Sequence, residues 1–271
     1  MSAWSGTLRR EGVVIGLVPT MGALHAGHRA LIRAARLSCD AVVVSLFVNP
    51  RQFGVGEDFT RYPRRIRADA ALCRVEGVDA LFAPSQRDMY PAGFQTSVVV
   101  RDLSRRWEGA VRPGHFEGVV TIVTKLFTIV RPDVAFFGQK DFQQAVVVRR
   151  LVEDLNLGVR IALHPTVREP DGLALSSRNR YLSPRQRRAA TVLYDALQVG
   201  CASIQAGQRS GERVKRLMQE RVDREPLARA DYLAVCDPRT LEPIKRITGA
   251  VVLLGAVRIG RLRLIDNLLI R

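Results

Sequence analysis

Two histidines, His25 and His28, stand close together in the run Val18-Pro19-Thr20-Met21-Gly22-Ala23-Leu24-His25-Ala26-Gly27-His28. The run follows a short apolar stretch that reads as a buried strand, and it leads into helical periodicity through Leu31, Ile32 and Ala35. Imidazoles at that spacing on the first turn of a helix project to one side, where backbone N–H groups and the helix dipole favour an anion. The chemistry on offer is phosphate handling, and Gly27 leaves room for a base or ribose to approach the backbone. Two other readings stay open from these residues alone. One is a capping turn with incidental histidines; the other is half of a zinc site, for which His115, His164 and scattered cysteines are the remaining ligands.

Three more segments pair a strand or loop with polar chemistry. Val44–Phe47 runs into Val48-Asn49-Pro50-Arg51-Gln52-Phe53-Gly54, which places Asn49 and Gln52 beyond a strand end, where open α/β sheets bind ligands. Arg131–Gln144 repeats the arrangement with Gly138, Gln139, Lys140 and Asp141 in its loop. Lys140 is one of four lysines in an arginine-dominated chain, and a compact ammonium can sit on a phosphate as a point charge where a guanidinium fork does not fit; the alternative is a solvated surface lysine. In Arg168–Asn179, Ser176, Ser177 and Arg178 offer two hydroxyls and a guanidinium to a triphosphate on a loop able to close over it, or else form a linker that caps a helix.

The elements that must position these groups follow from hydrophobic patterning. Val13–Val18, Ala41–Val48, Ala80–Ala83 and Val134–Phe137 are short, largely β-branched apolar runs separated by amphipathic stretches. This texture predicts strands buried on both faces, and hence an α/β, Rossmann-like parallel sheet with helices on both faces. After about Thr166 the texture changes to a polar loop, a long Arg-rich helix (Pro184 to Ala206), a second helix (Gly211 to Val222) and strands at Asp231–Val235, Ala250–Leu254 and Arg261–Ile265. The expected domains are 1–166, binding nucleotide and substrate, and 167–271, a smaller α+β C-terminal lid.

Bulk properties narrow the class. With 271 residues and 47% hydrophobic content, the chain can bury a sizeable core. Its four cysteines have no metal-ligand spacing and fit reduced thiols, so a cytoplasmic location is expected. Neither a signal-peptide pattern nor an apolar run of membrane-spanning length is present. The net charge of +16 suggests a polyanion partner, but the basic residues are spread evenly rather than blocked. Specific nucleic-acid binding is therefore not expected, although nothing in the sequence explains the arginine content.

Taken together, the four segments resemble the pantoate–β-alanine ligase (pantothenate synthetase) family of the nucleotidylyltransferase superfamily. The resemblance is carried by Pro19–His28, Phe47-Val48-Asn49-Pro50 with Gln52, Arg112-Pro113-Gly114-His115-Phe116, Phe137-Gly138 with Lys140-Asp141 and Gln144, Ser176–Asn179, and Leu264-Ile265-Asp266-Asn267. It implies ATP at Met21, Gly22, Ala23, Leu24, His25, Ala26, Gly27, His28, Gly138, Gln139, Lys140, Asp141, Val167, Leu175, Ser176, Ser177 and Arg178. It also implies substrate contacts from Gln52, Gln144, Asn49 and Met21, catalytic roles for His25, His28, Lys140 and Arg178, Mg²⁺, and a homodimer. The implied reaction makes pantothenate through a pantoyl adenylate.

Three positions depart from the family pattern: Ala26 replaces a commonly acidic residue, Gln139 a usual Glu, and the acidic cluster after Tyr62-Pro63-Arg64 is reduced to Asp69, the one expected Mg²⁺ ligand. A related possibility is transfer of a nucleotide to a phosphate acceptor. Gln52 and Gln144 argue against it, since neutral hydrogen-bonding groups suit a hydroxyl-rich carboxylate better than a second phosphate.

Overall fold

Alternation along the central strands decides which helices cover which face. In the computed structural model, which describes residues 1–271, the chain begins with helix α1 (Ser2–Arg10), strand β1 (Ile15–Thr20), helix α2 (Ala26–Arg36) and strand β2 (Ala41–Leu46). Helix α3 (Ile66–Val75), strand β3 (Ala80–Phe82) and the short helices α4 (Gln86–Met89) and α5 (Trp107–Val111) follow. Then come α6 (His115–Val130), β4 (Val134–Gly138), α7 (Phe142–Asp154) and β5 (Arg160–His164).

Successive strand residues point to opposite faces. Ile15, Leu17, Val43, Ala135 and Phe137 pack with Val120, Val123 and Phe127 of α6 and Val147, Val148 and Leu151 of α7. Val18, Val42, Val44, Val134 and Phe136 pack on the other side with Leu31, Ile32 and Ala35 of α2 and Cys73 of α3. Both faces of the sheet are therefore covered, and the five strands are parallel in the order β3-β2-β1-β4-β5.

The chain divides into two compact units. One is Met1–Gln139 with Val147–Pro165, and the other is Lys140–Val146 with Thr166–Arg271. The second unit carries α8 (Pro184–Ala189), α9 (Val192–Gln205), α10 (Gly211–Asp223) and strands β6 (Ala228–Cys236), β7 (Val251–Ile259) and β8 (Leu262–Ile270). The three strands form an antiparallel sheet with β7 in the centre. Leu193, Ala196 and Leu197 of α9 and Val214, Met218 and Val222 of α10 pack with Leu253 and Val257 of β7.

The elements differ from the sequence expectations in three places. Strand β5 carries no continuous apolar run, because it is an edge strand with one exposed and four half-buried residues. The long Arg-rich helix is two helices, broken at Ala190 and Thr191, where neither glycine nor proline marks the interruption. All three C-terminal strands are longer than expected, and the last two meet at a tight hairpin in which Ile259 pairs with Leu262. Gly260 at φ +60° supplies the left-handed conformation that such a turn requires.

Candidate active site

Strand order reverses between β1 and β4, the neighbours at the centre of the parallel sheet. Ligands of open α/β sheets bind at such a switch point, outside the strands' carboxyl ends. The segment leaving β1 is Met21–His28, and β4 ends on Gly138, with Gln139 next.

The two histidines cap their own helix. His25 is the N-cap of α2 and its Nδ1 accepts the Gly27 N–H at 3.2 Å, while Nδ1 of His28 accepts the His25 N–H at 3.2 Å. The arrangement is the reciprocal capping box, built from imidazoles in place of hydroxyl and carboxyl groups. Its rings lie 4.1 Å apart between centroids. Since each Nδ1 accepts a hydrogen bond, each ring carries its proton on Nε2. The capping and phosphate readings are thus compatible, with one correction. The His25 and Gly27 N–H groups are taken by the rings, so the imidazole Nε2–H groups join the remaining backbone N–H groups as the donors that an anion would meet.

The preceding loop is held from α3. Gly22 (φ +85°) and Ala23 (φ +53°) both turn left-handed, a conformation that costs a non-glycine residue such as Ala23. Asp69 opposes that cost, its Oδ2 accepting the Ala23 N–H at 2.9 Å and Oδ1 the Leu24 N–H at 2.8 Å. Asp69 is buried, and no group of three His, Cys, Asp or Glu side chains is arranged to hold a metal ion. Each carboxylate oxygen takes one hydrogen bond from the loop and keeps a second lone pair, so shaping the loop and meeting a cation that arrives with phosphates are compatible roles for Asp69.

The loop after β2 adds a network of polar contacts. Asn49 was expected to reach substrate, but it is 1% exposed and occupied at both ends of its amide. Its Nδ2 donates to the Gly118 carbonyl at 2.9 Å and to Gln52 Oε1 at 3.2 Å, and its Oδ1 accepts from the Tyr90 hydroxyl at 2.8 Å. It positions Gln52, whose Nε2 in turn donates to the Met21 sulfur at 3.0 Å.

The Gln52 main chain is fixed as well. His115 Nδ1 lies 2.8 Å from the Gln52 carbonyl, and Arg112 Nη2 donates to the same oxygen at 3.2 Å. Arg112 Nη1 also lies 3.2 Å from His115 Nε2. A guanidinium can only donate, so Nε2 is the acceptor and the buried ring is neutral with its proton on Nδ1. Consistently, burial first and the neighbouring Arg112 charge second push the His115 pKa down to about 4. Glu57 completes the set by accepting two hydrogen bonds of 2.7 Å from Arg112. Burial alone would raise its carboxyl, but the guanidinium brings it below its ordinary value. The sequence assigns no role to Tyr90 and Glu57, and it offers His115 only as a third zinc ligand and Arg112–Phe116 only as a family motif; the part of Arg112 and His115 in fixing the Gln52 backbone is visible only in the fold.

In the second unit, Lys140 lies 3.5 Å from the Asp141 carboxylate, and Gln144 is half-buried on the first turn of α7. The polar loop is a hairpin: Arg168 bridges Ala174, and Leu175 N–H donates to the Val167 carbonyl at 3.0 Å. Gly172 at its tip has φ +91° and leaves no room for a Cβ, which would come within 2.1 Å of the Tyr194 ring. Beyond the hairpin, Ser176 Oγ accepts the Arg178 N–H at 3.3 Å and Asn179 Nδ2 donates to the Ala174 carbonyl at 3.0 Å. Val167, Leu175, Ser176 and Arg178 are thereby grouped on one short piece of backbone.

Comparison with known proteins places these features in a family. The family model for pantoate-beta-alanine ligase matches residues 1–269. A pantothenate synthetase of Heliobacterium modesticaldum is 54% identical over 270 residues, covering 100% of this chain and 96% of that one. The crystal structure of pantothenate synthetase from Thermus thermophilus is similar with a TM-score of 0.92 and 49% identity, over 97% of this chain and 96% of that one. The pantoate-beta-alanine ligase of Francisella tularensis, complexed with beta-gamma ATP and beta-alanine, has a TM-score of 0.77 and 33% identity over 98% and 95% of the two chains.

Proposed function

The chain belongs to the pantoate–β-alanine ligase family, and from that membership and the geometry of its loops we infer that it joins pantoate to β-alanine at the expense of ATP. The pantoate carboxylate attacks the α-phosphorus and pyrophosphate leaves; the β-alanine amine then attacks the acyl carbonyl of pantoyl adenylate and AMP leaves. A carboxylate is already a nucleophile, so the first step needs charge stabilisation and in-line placement rather than an activated side chain.

The observation that carries the assignment is the reciprocal histidine cap at the carboxyl end of β1. It holds two imidazoles with Nδ1 on backbone N–H groups and the proton on Nε2, which makes both rings preorganised donors for phosphate oxygens. In this reading ATP also meets Met21–Leu24, Gly138–Asp141, Val167 and Leu175–Arg178, with Lys140 and Arg178 offsetting charge that develops on the phosphates. Gln52 and Gln144 hold pantoate through neutral hydrogen bonds. A divalent cation arrives with ATP as part of the substrate. Family membership also supports a homodimer in the cytoplasm, which sedimentation and fractionation test; no helix is long and apolar enough to cross a membrane.

Isotope exchange between pyrophosphate and ATP, with and without pantoate, tests the adenylate. Exchange that requires pantoate is expected, and exchange independent of pantoate overturns the reading. His28→Ala should lose exchange while keeping its far-ultraviolet circular dichroism.

A further inference from the structure

Asp266 and Asn267 are neighbours on β8, buried to 5% and 1% exposure. The Asp266 carboxylate receives both terminal nitrogens of Arg168, with Nη2 donating to Oδ1 at 2.9 Å, and the same Oδ1 accepts the Asn267 N–H at 2.8 Å. Arg168 also donates from Nη1 to the Gly172 carbonyl at 3.0 Å and stacks on the Tyr194 ring with 4.1 Å to its centroid. The base and tip of the 168–174 hairpin are thus tied to one buried strand residue. Its neighbour makes a different long-range contact: Asn267 Nδ2 donates to the main-chain carbonyl of Lys140 at 3.0 Å.

Burying an ion pair is an expensive way to stabilise a sheet, because desolvation offsets much of the attraction and apolar side chains of similar volume do as well. A bidentate pair fixes direction, however, which apolar packing does not. Here the ion pair and the neighbouring Asn267 amide fix two segments far apart in sequence. One is the hairpin that continues into Ser176, Ser177 and Arg178; the other is the backbone that carries the Lys140 ammonium.

We propose that Asp266 and Asn267 are positioning residues for adenylation, setting Lys140 and the Ser176–Arg178 segment in one frame by holding the hairpin through Asp266 and the Lys140 backbone through its β8 neighbour Asn267. The inference rests on the reading that these segments meet the ATP phosphates. It places the larger role of Asn267 in the first half-reaction, since the β- and γ-phosphates leave as pyrophosphate before β-alanine reacts and only the α-phosphate remains.

The test compares Asn267→Ala with Lys140→Ala in two assays on the full chain: pantoate-dependent pyrophosphate–ATP exchange, and pantothenate formation from supplied pantoyl adenylate and β-alanine. Asn267→Ala should slow exchange by roughly 100-fold, the cost of an ångström-scale misplacement, with aminolysis close to that of wild type. Lys140→Ala should lose exchange, with a smaller loss in aminolysis. Normal exchange by Asn267→Ala beside a defective Lys140→Ala overturns the positioning role and leaves the ATP site standing. Equal losses in both half-reactions, with a lowered melting temperature, also overturn it, as the signature of a merely structural residue. Normal exchange by Lys140→Ala overturns the phosphate reading and the positioning role with it. If Asn267→Ala does not fold, Asn267→Ser takes its place with the same expectations, since its shorter hydroxyl cannot span to the Lys140 carbonyl.

Discussion

Acidification should weaken the first unit through His115, and the size of the effect follows from its surroundings. The ring accepts from Arg112 on Nε2 and donates from Nδ1 to Gln52, so a second proton would displace a hydrogen bond and sit beside a guanidinium. The folded-state pKa of about 4 lies below the ordinary 6.5. Between those values the unfolded chain binds a proton that the fold refuses, so this contribution is fully present above pH 6.5 and is lost as pH falls toward 4. At ~1.4 kcal/mol per pKa unit, the full loss is about 3 kcal/mol.

Urea unfolding followed by tryptophan fluorescence isolates the effect, because both tryptophans, Trp4 and Trp107, lie in the first unit. The control is His115→Asn, whose side-chain amide keeps a donor near the Nδ1 position and does not titrate. Carboxylates titrate in both proteins and cancel in the comparison. Stability of the wild type should fall relative to the variant by about 3 kcal/mol across this window. Parallel profiles would refute the argument that His115 is held neutral.

Asp69→Asn should cost ~1.5–3 kcal/mol, since the amide replaces one of two charged acceptors with a donor facing an N–H; urea unfolding gives the value, and exchange should fall because the loop carrying the histidines relaxes. If Asp69 also served as a metal ligand, higher Mg²⁺ would restore exchange. Gly118→Ala would place a Cβ 2.2 Å from the Arg51 carbonyl, so α6 must move away from the Asn49–Gln52 turn; a raised KM for pantoate and a lowered unfolding midpoint are expected. Arg168→Ala leaves Asp266 charged and buried without its partner, costing about 3–5 kcal/mol, which calorimetry of the variant measures. Burial pushes the Asp266 carboxyl up and Arg168 opposes it, so part of that loss should be relieved at lower pH, where the carboxyl takes up a proton.

The sequence by itself determined the parallel sheet, because β1, β2 and β4 are apolar at consecutive positions and only a sheet covered on both faces buries such runs. It also determined that His25 and His28 would meet, since their spacing on a first helical turn is a local geometric fact. What the two rings do there, and which nitrogen keeps the proton, required seeing the backbone amides they accept. The remaining partners were decided by tertiary structure alone. Asp69 reaches Ala23 across 46 positions, His115 reaches Gln52 across 63, and Asn267 reaches Lys140 across 127. No periodicity encodes such pairs: a buried carboxylate or amide finds its partner among whatever N–H and C=O groups the folded chain leaves within about 3 Å. Asn49 illustrates the difference, since its place after a strand made it a substrate ligand on paper, and the folded chain turned its amide inward to hold Gln52.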